Sequence, residues 1–137
     1  EDIFACGDCT NHPNKLLNKS LRLESVHNAM EQSKTVAASL SNNPKEYNQI
    51  PWFWSDQYDH KLQIVGLSGE HDRVTMRGKM EDSQFMLFYT HNSQLIAVDS
   101  VNNSKEFLIC RKLVTNKVRI EPEMIADPSL NLNDLIA

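Results

Sequence analysis

Four segments in the second half of the chain either alternate hydrophobic and polar residues or are rich in residues that favour β-strands. The links between these segments are short and polar, as in antiparallel hairpins. The sequence therefore predicts an antiparallel sheet of about four or five strands. The four clearest strands are predicted at residues 61–67, 73–80, 84–90 and 94–101.

Apolar residues also recur at helical spacing, both before and after the predicted sheet. In the first of these segments the pattern includes Val26, Met30 and Leu40, and Pro44 follows the point where it stops. With the sheet, these segments predict an α+β fold with C-terminal helices. The predicted helices and helical turns cover residues 24–40, 104–115, 121–126 and 131–136.

The N-terminal residues have a different organisation. Residues 1–9 predict a short buried strand that ends in a tight turn at Gly7 and Asp8, and residues 10–20 predict a polar loop. One strand and one helix do not complete a domain. We therefore interpret residues 1–44 as the remnant of another domain and residues 45–137 as a separate module.

Length and composition narrow the possible classes of protein. The 137 residues, of which 40% are hydrophobic, suit one globular domain or a domain with a stub. The net charge of −4 comes with no basic patch, so we expect neither nucleic acid nor an anionic membrane as a partner. No apolar run approaches the roughly 20 residues of a membrane helix. The start at Glu1 rather than Met suggests part of a longer protein.

Three cysteines are too few, and odd in number, for a disulfide framework, so we expect a cytoplasmic protein. Cys6 and Cys9 have C-x-x-C spacing, and His12 adds a third candidate metal ligand. A fourth ligand at suitable spacing is missing, and the motif follows a predicted strand instead of starting a helix. We expect no metal site. Apolar packing is the preferred interpretation of the two thiols, and redox chemistry is the alternative.

Three features suggest a ligand, and each also has a structural explanation. Asp8 at a strand end can accept hydrogen bonds from sugar or ribityl hydroxyls, or stabilise its own turn. The helix start at Ser25 and Val26 can place amides against an anionic ring edge, or Ser25 can serve as a cap alone. Trp52 and Trp54 follow a proline in a predicted connector, where they can stack on a flat cofactor or belong to the core.

Three motifs follow one another along the chain. They are Asp2-Ile-Phe-Ala-Cys-Gly-Asp-Cys9, Arg22-Leu-Glu-Ser-Val-His-Asn-Ala29 with Gln32, and Pro51-Trp-Phe-Trp-Ser-Asp-Gln-Tyr58 with Leu62-Gln-Ile-Val-Gly-Leu67. In this order they resemble one family, the FAD-dependent, NADH-using ferredoxin reductases of the putidaredoxin reductase type. These enzymes serve bacterial Rieske oxygenases and P450 systems. The resemblance is to their C-terminal third, and it covers nearly the whole chain.

The resemblance implies a role for each candidate residue. Asp8 would bind the FAD ribityl chain, and Val26, with Ser25 beside it, would bring a backbone amide to the pyrimidine edge of the flavin. Trp54 would lie near the isoalloxazine ring. Residues 1–44 would then be the end of the FAD-binding domain, and residues 45–137 the reductase C-terminal domain.

The resemblance also implies an activity and partners. Electrons would pass from NADH through FAD to a [2Fe-2S] ferredoxin or a rubredoxin, with FAD- and NAD-binding domains upstream. Lys34 is the candidate for docking an acidic ferredoxin, with Arg111 or Lys112 as further options. The chain has four glycines and no Gly-rich phosphate loop, so we expect it alone to be inactive and to hold no FAD. A stand-alone interaction or dimerisation module is the alternative.

Overall fold

The computed structural model describes residues 3–136. The chain forms two compact units, one within Glu1–Phe53 and the other within Trp54–Ala137. Among the described residues, no helix combines the length and apolar character needed to cross a membrane.

The first unit contains a short hairpin and a long helix. Strands β1 (His12–Asn14) and β2 (Lys19–Leu21) pair antiparallel, and helix α1 covers Val26–Leu40. The helix was predicted over residues 24–40, so its end is correct and its start lies two residues later. Ser25 is its N-cap.

The strand predicted over residues 1–9 is not formed in the part that the structure describes. Residues 3–9 contain no strand, and Ile3 is 93% exposed, while residues 1 and 2 lie outside the description. An extended segment needs a neighbouring strand for its backbone hydrogen bonds, and no described strand pairs with this one. The predicted turn does form, closed by a 3.0 Å hydrogen bond from Thr10 N to Gly7 O.

The segment predicted as a polar loop, residues 10–20, contains the β1–β2 hairpin. Asn14 is buried, its Nδ2 donates to the Gln49 carbonyl at 2.9 Å, and its Oδ1 accepts from Leu17 N at 3.1 Å. Asn18, at φ 50°, takes the left-handed conformation that asparagine tolerates in turns. Side-chain bonds to the backbone stabilise this hairpin, so a search for apolar alternation could not find it.

Five antiparallel strands form the main sheet, in the spatial order β3-β4-β7-β6-β5. Their pairing confirms the predicted α+β class and the predicted antiparallel sheet. Gly66 is the last residue of β4 and has φ +78°. A Cβ at this position would lie 2.0 Å from the Ile96 carbonyl oxygen, so only glycine allows β7 to pack this close. The strands are β3 (Trp52–Gln57), β4 (His60–Gly66), β5 (Arg73–Lys79), β6 (Gln84–His91) and β7 (Gln94–Val101).

Strand β3 corrects one prediction, since both tryptophans were placed in a connector. Trp52–Gln57 is instead an edge strand of the sheet. Pro51 precedes the strand, which is a position where proline removes no hydrogen bond from the ladder. Aromatic residues favour strands, so the local sequence was compatible with this outcome.

Helix α2 (Ser104–Thr115) covers one face of the sheet and has the predicted bounds. A short helix α3 (Pro122–Ala126) and a 3₁₀ helix (Leu132–Leu135) follow, within the predicted helical turns. The core of this unit forms between the sheet and the helices. Its fully buried side chains include Val65, Met86, Phe88, Val98, Phe107, Cys110, Leu113, Ile125 and Leu132.

A buried arginine joins three elements of the second unit. Arg77 on β5 is 6% exposed and pairs with Glu106 of α2, with 3.0 Å between Nη2 and Oε1. Its guanidinium also donates to the carbonyl oxygens of Ile125 at 3.3 Å, of Leu130 at 2.8 Å and of Asp127. The apolar pattern predicted none of these bonds, which hold α3 and the chain after it against the sheet and α2.

Candidate functional site

Asp8 lies in the exposed turn formed by residues 7–10. Gly7 has φ +82°, in the left-handed region that favours glycine, and Asp8 is exposed. The side chain of Arg22 donates from Nη1 to the backbone carbonyl of Asp8 at 3.3 Å. This bond fixes the backbone of the turn. The Asp8 side chain is exposed, so its carboxylate can accept hydrogen bonds from a ligand.

The start of α1 has the geometry expected from the sequence. Ser25 is extended at φ −152° and ψ 149°, and its Oγ accepts from the Asn28 amide at 3.2 Å. The amide of Val26 occupies the first helical position, where a helix offers no internal acceptor, and Val26 is 58% exposed. The positive end of the helix dipole lies here, so this end favours negatively charged groups.

Gln32 connects the Asp8 turn to α1. Its side chain is buried, at 5% exposure, and its Oε1 accepts from the Gly7 amide at 2.7 Å. Thr10 Oγ1 lies 2.8 Å from the same Oε1 and 2.8 Å from the Gly7 carbonyl. One glutamine therefore bonds to both ends of the turn that carries Asp8.

Asn28 extends this network along the buried side of α1. It is 1% exposed, and its Nδ2 donates to the Leu23 carbonyl at 2.9 Å. Its Oδ1 accepts from Gln32 Nε2 at 3.2 Å and from the Tyr47 hydroxyl at 3.0 Å. The first unit thus joins the Asp8 turn, the helix and the segment after the helix through polar side chains.

His12 completes the network from the hairpin. Its Nδ1 lies 2.9 Å from Gln32 Nε2, and its ring meets that of Tyr47 edge to face at 4.8 Å. Its Nε2 is buried and has no hydrogen-bond partner among the described residues. Burial lowers the pKa of the imidazole below its ordinary value. The sequence suggested His12 as a candidate metal ligand and indicated no role for Gln32 beyond its place in a motif.

Trp54 lies on β3 in the second unit and is 40% exposed. Edge strands present side chains beside a free backbone edge, and a partly exposed indole there can cover a flat ring. The structure thus places Trp54 on a strand instead of the predicted connector, and it leaves part of the indole accessible.

The predicted docking residue Lys34 is exposed on α1. Its Nζ pairs with Glu31 Oε1 at 2.5 Å, so part of its charge is already compensated. Lys112, one of the other two options, lies exposed in the last turn of α2.

The two N-terminal thiols do not pack in a core, which corrects the preferred interpretation. Cys6 and Cys9 are both exposed, and both are free. The strand that was expected to bury them is absent from residues 3–9. Within residues 3–136, no cluster of three or more His, Cys, Asp or Glu side chains could hold a metal ion.

The candidate residues have chemistry that fits a flavin nucleotide. An exposed carboxylate accepts from hydroxyl groups, a capped helix start favours an electron-rich ring edge, and an indole stacks on a flat ring. Groups of these kinds bind and orient a flavin, whereas the reactive chemistry belongs to the cofactor.

Comparisons with known proteins agree with this chemistry. A family model described as Reductase C-terminal matches residues 52–136. The putidaredoxin reductase CamA of Pseudomonas putida is 38% identical over 135 residues, which cover 98% of this chain and 32% of that protein. Rhodocoxin reductase of Rhodococcus erythropolis is 36% identical over 137 residues, covering 100% of this chain and 32% of the relative.

Solved structures agree with these relatives. The crystal structure of the ferredoxin reductase for the CYP199A2 system of Rhodopseudomonas palustris superposes with a TM-score of 0.89 at 39% identity, covering 96% of this chain and 33% of that one. The covalent putidaredoxin reductase–putidaredoxin complex gives a TM-score of 0.88 at 37% identity, with 96% and 31% covered. The resemblance identified from the motifs is confirmed, and the chain spans about a third of the length of these relatives.

Proposed function

The chain belongs to the reductase C-terminal family, and on this premise we propose that it is part of a longer FAD-dependent reductase that transfers electrons from NADH to a [2Fe-2S] ferredoxin. The observation that carries the proposal is the hydrogen bond from the Asp8 turn to Gln32 of α1, the helix whose capped start is formed by Ser25. One compact unit thus contains two groups suited to a flavin nucleotide.

We assign residues 1–44 to the end of the FAD-binding domain and residues 45–137 to the reductase C-terminal domain. The family match from residue 52 onward supports a boundary in this region. The hydrogen-bonded unit within Glu1–Phe53 places the Asp8 turn with α1. The missing phosphate-binding glycines would lie in the rest of the longer protein, so the isolated chain should not retain FAD.

Each candidate residue then has one task toward FAD. Asp8 accepts hydrogen bonds from the ribityl hydroxyls, and the Val26 amide, with Ser25 capping the same helix, faces the pyrimidine edge. Trp54 lies near the isoalloxazine ring. FAD supplies the chemistry, which is to accept a hydride from NADH and to release electrons one at a time. The positive end of the α1 dipole stabilises negative charge at the edge it faces.

The electron acceptor we propose is a small acidic iron–sulfur protein, a [2Fe-2S] ferredoxin in preference to a rubredoxin. A solved relative is a complex of putidaredoxin reductase with putidaredoxin, which supports a ferredoxin as partner. Lys34 is the proposed docking cation, because it is exposed on α1. Such an electron-transfer system would operate in the cytoplasm.

Replacement of Trp54 by alanine in the full-length enzyme tests this assignment. An indole beside the flavin ring affects the electron-transfer route, whereas most contacts to FAD lie elsewhere in the protein. We expect electron delivery to ferredoxin, followed by stopped-flow absorbance, to slow by about tenfold. The dissociation constant of FAD should rise by no more than about threefold.

Tyr58→Ala is the matched control, since Tyr58 is an aromatic residue that is 98% exposed just after β3. It should leave both quantities unchanged. An unaltered rate of ferredoxin reduction in the Trp54→Ala enzyme would show that Trp54 is not beside the flavin.

A further inference from the structure

The backbone fixes the orientation of both amide side chains in the network. The Gly7 N–H can only donate, so the atom of Gln32 facing it must be the oxygen. Its amide nitrogen then faces Asn28 and His12. At the other end, the Leu23 carbonyl can only accept, so Asn28 turns its nitrogen there and leaves its oxygen for Gln32.

This orientation decides the protonation state of His12. Gln32 Nε2 is a donor, so the Nδ1 atom 2.9 Å away must accept and carries no proton. The neutral ring then holds its proton on Nε2. Burial also disfavours the charged imidazolium, so the lowered pKa agrees with the hydrogen-bond pattern.

The orientation of Gln32 also affects the turn that carries Asp8. Gln32 Oε1 accepts from the Gly7 amide and from the Thr10 hydroxyl, whose single proton it shares with the Gly7 carbonyl. Gly7 and Thr10 are the first and last residues of the turn. We propose that Gln32 is a positioning residue for Asp8, because it fixes both ends of this turn, and that it can do so only while His12 is unprotonated. The inference rests on the proposed contact between Asp8 and FAD.

Protonation of His12 would break this arrangement. A proton on Nδ1 would face the NH₂ group of Gln32, two donors with no acceptor between them. Turning the Gln32 amide would relieve that contact, but it would withdraw Oε1 from Gly7 and Thr10. The turn would then lose its bonds to α1 and would keep only its internal Thr10–Gly7 bond and the bond from Arg22.

The sign of the pH effect follows from the lowered pKa. Free histidine titrates near pH 6.5, and burial shifts the folded value lower, so the network is intact at neutral pH. It is lost as the pH falls through the folded pKa of His12, which lies below 6.5. The charges around His12 largely cancel in pairs. The titratable and charged groups there are Tyr47, the Lys15–Glu46 pair at 2.6 Å and the Glu31–Lys34 pair at 2.5 Å.

A double-mutant cycle in the full-length enzyme tests the proposal, with the dissociation constant of FAD measured by flavin fluorescence. We expect Asp8→Ala and Gln32→Met each to raise this constant by about tenfold. If Gln32 acts through Asp8, the Gln32→Met change in the Asp8→Ala background should add less than about twofold. Thr35→Val, one turn away on α1, is the control and should change nothing.

The outcomes separate this inference from the proposed function. An Asp8→Ala enzyme with unchanged FAD affinity would remove the Asp8 contact, and the positioning role with it. A strong Asp8→Ala effect with an additive Gln32→Met effect, or with none, would overturn the positioning role alone.

A pH series provides a second test, which also serves if Gln32→Met does not fold. His12→Gln keeps an acceptor for Gln32 Nε2 but cannot titrate. Between about pH 7.5 and the lowest pH at which the enzyme stays folded, FAD affinity should fall at least about threefold further in the wild-type enzyme than in His12→Gln. Identical pH profiles would contradict the requirement for a neutral His12.

Discussion

At the scale of single residues, buried polar side chains form hydrogen bonds that connect the elements within each unit. Asn28 and Gln32 form the bonds that connect α1 to its surroundings, and Arg77 does the same for β5. Each is 6% exposed or less, so each needs its partners to offset the loss of hydration. Asp8, Val26 and Lys34 differ, because they are exposed and available to a ligand or partner.

Charge reversal at Lys34 is a prediction at this scale. Lys34→Glu removes a cation from the proposed docking surface and places a second carboxylate beside Glu31. We expect the KM for ferredoxin to rise about threefold at low ionic strength, with a flatter salt dependence, in steady-state assays of the full-length enzyme.

Lys45→Glu makes the same change of charge at an exposed lysine in the connector after α1. It should leave the KM for ferredoxin within about 1.5-fold of wild type. Equal effects from the two reversals would show that net charge matters and that Lys34 has no specific role.

Some residue-scale features were predictable from the sequence and others were not. Asp8 in a turn and Ser25 as a cap follow from short motifs whose geometry is local. The partners of Gln32 and Arg77 come from elements distant in sequence, at a separation of 25 positions from Gly7 to Gln32 and of 53 from Arg77 to Leu130. A single sequence gives no signal that selects such partners.

At the scale of elements, periodicity located α1 but not its buried side. The apolar residues that predicted the helix include Val26 at 58% exposure and Met30 at 53%, whereas Asn28 is buried. Helical spacing shows which residues share a face, and it cannot show which face a neighbour covers. Strand β3 was missed for a related reason, because its aromatic sequence shows no alternation of apolar and polar residues.

The role of Arg77 gives a prediction for elements. Arg77→Met would remove the cation paired with Glu106, which would keep only the Asn103 amide, and the donor to the carbonyls of Ile125 and Leu130. The elements β5 and α2 and the segment after α3 would lose their common contact. We expect a loss of about 3 kcal/mol in the free energy of unfolding, measured by urea denaturation of the full-length protein.

Arg73→Met on the same strand is the matched control, since Arg73 is exposed. Its effect should be within about 0.5 kcal/mol. If Arg77→Met were as mild as Arg73→Met, the buried guanidinium would not be what holds α3 in place.

At the scale of the whole molecule, fold class was the most predictable property. Four alternating segments with short links leave an antiparallel sheet as the natural arrangement, and α2 had clear amphipathic spacing. The N-terminal strand was the failure, because a strand depends on neighbours and none of the described strands pairs with residues 3–9. Three sequence motifs, by contrast, were enough to identify the family.

We propose that this chain belongs to a flavin enzyme that reduces a ferredoxin. The most direct test is to purify the full-length protein, add NADH, and follow the visible absorbance of bound flavin and of a [2Fe-2S] ferredoxin. We predict bound FAD that NADH bleaches and a ferredoxin whose reduction requires that FAD. A protein that holds no FAD, or whose FAD is reduced without any reduction of ferredoxin, would overturn this function. The absence of FAD would favour an interaction or dimerisation module.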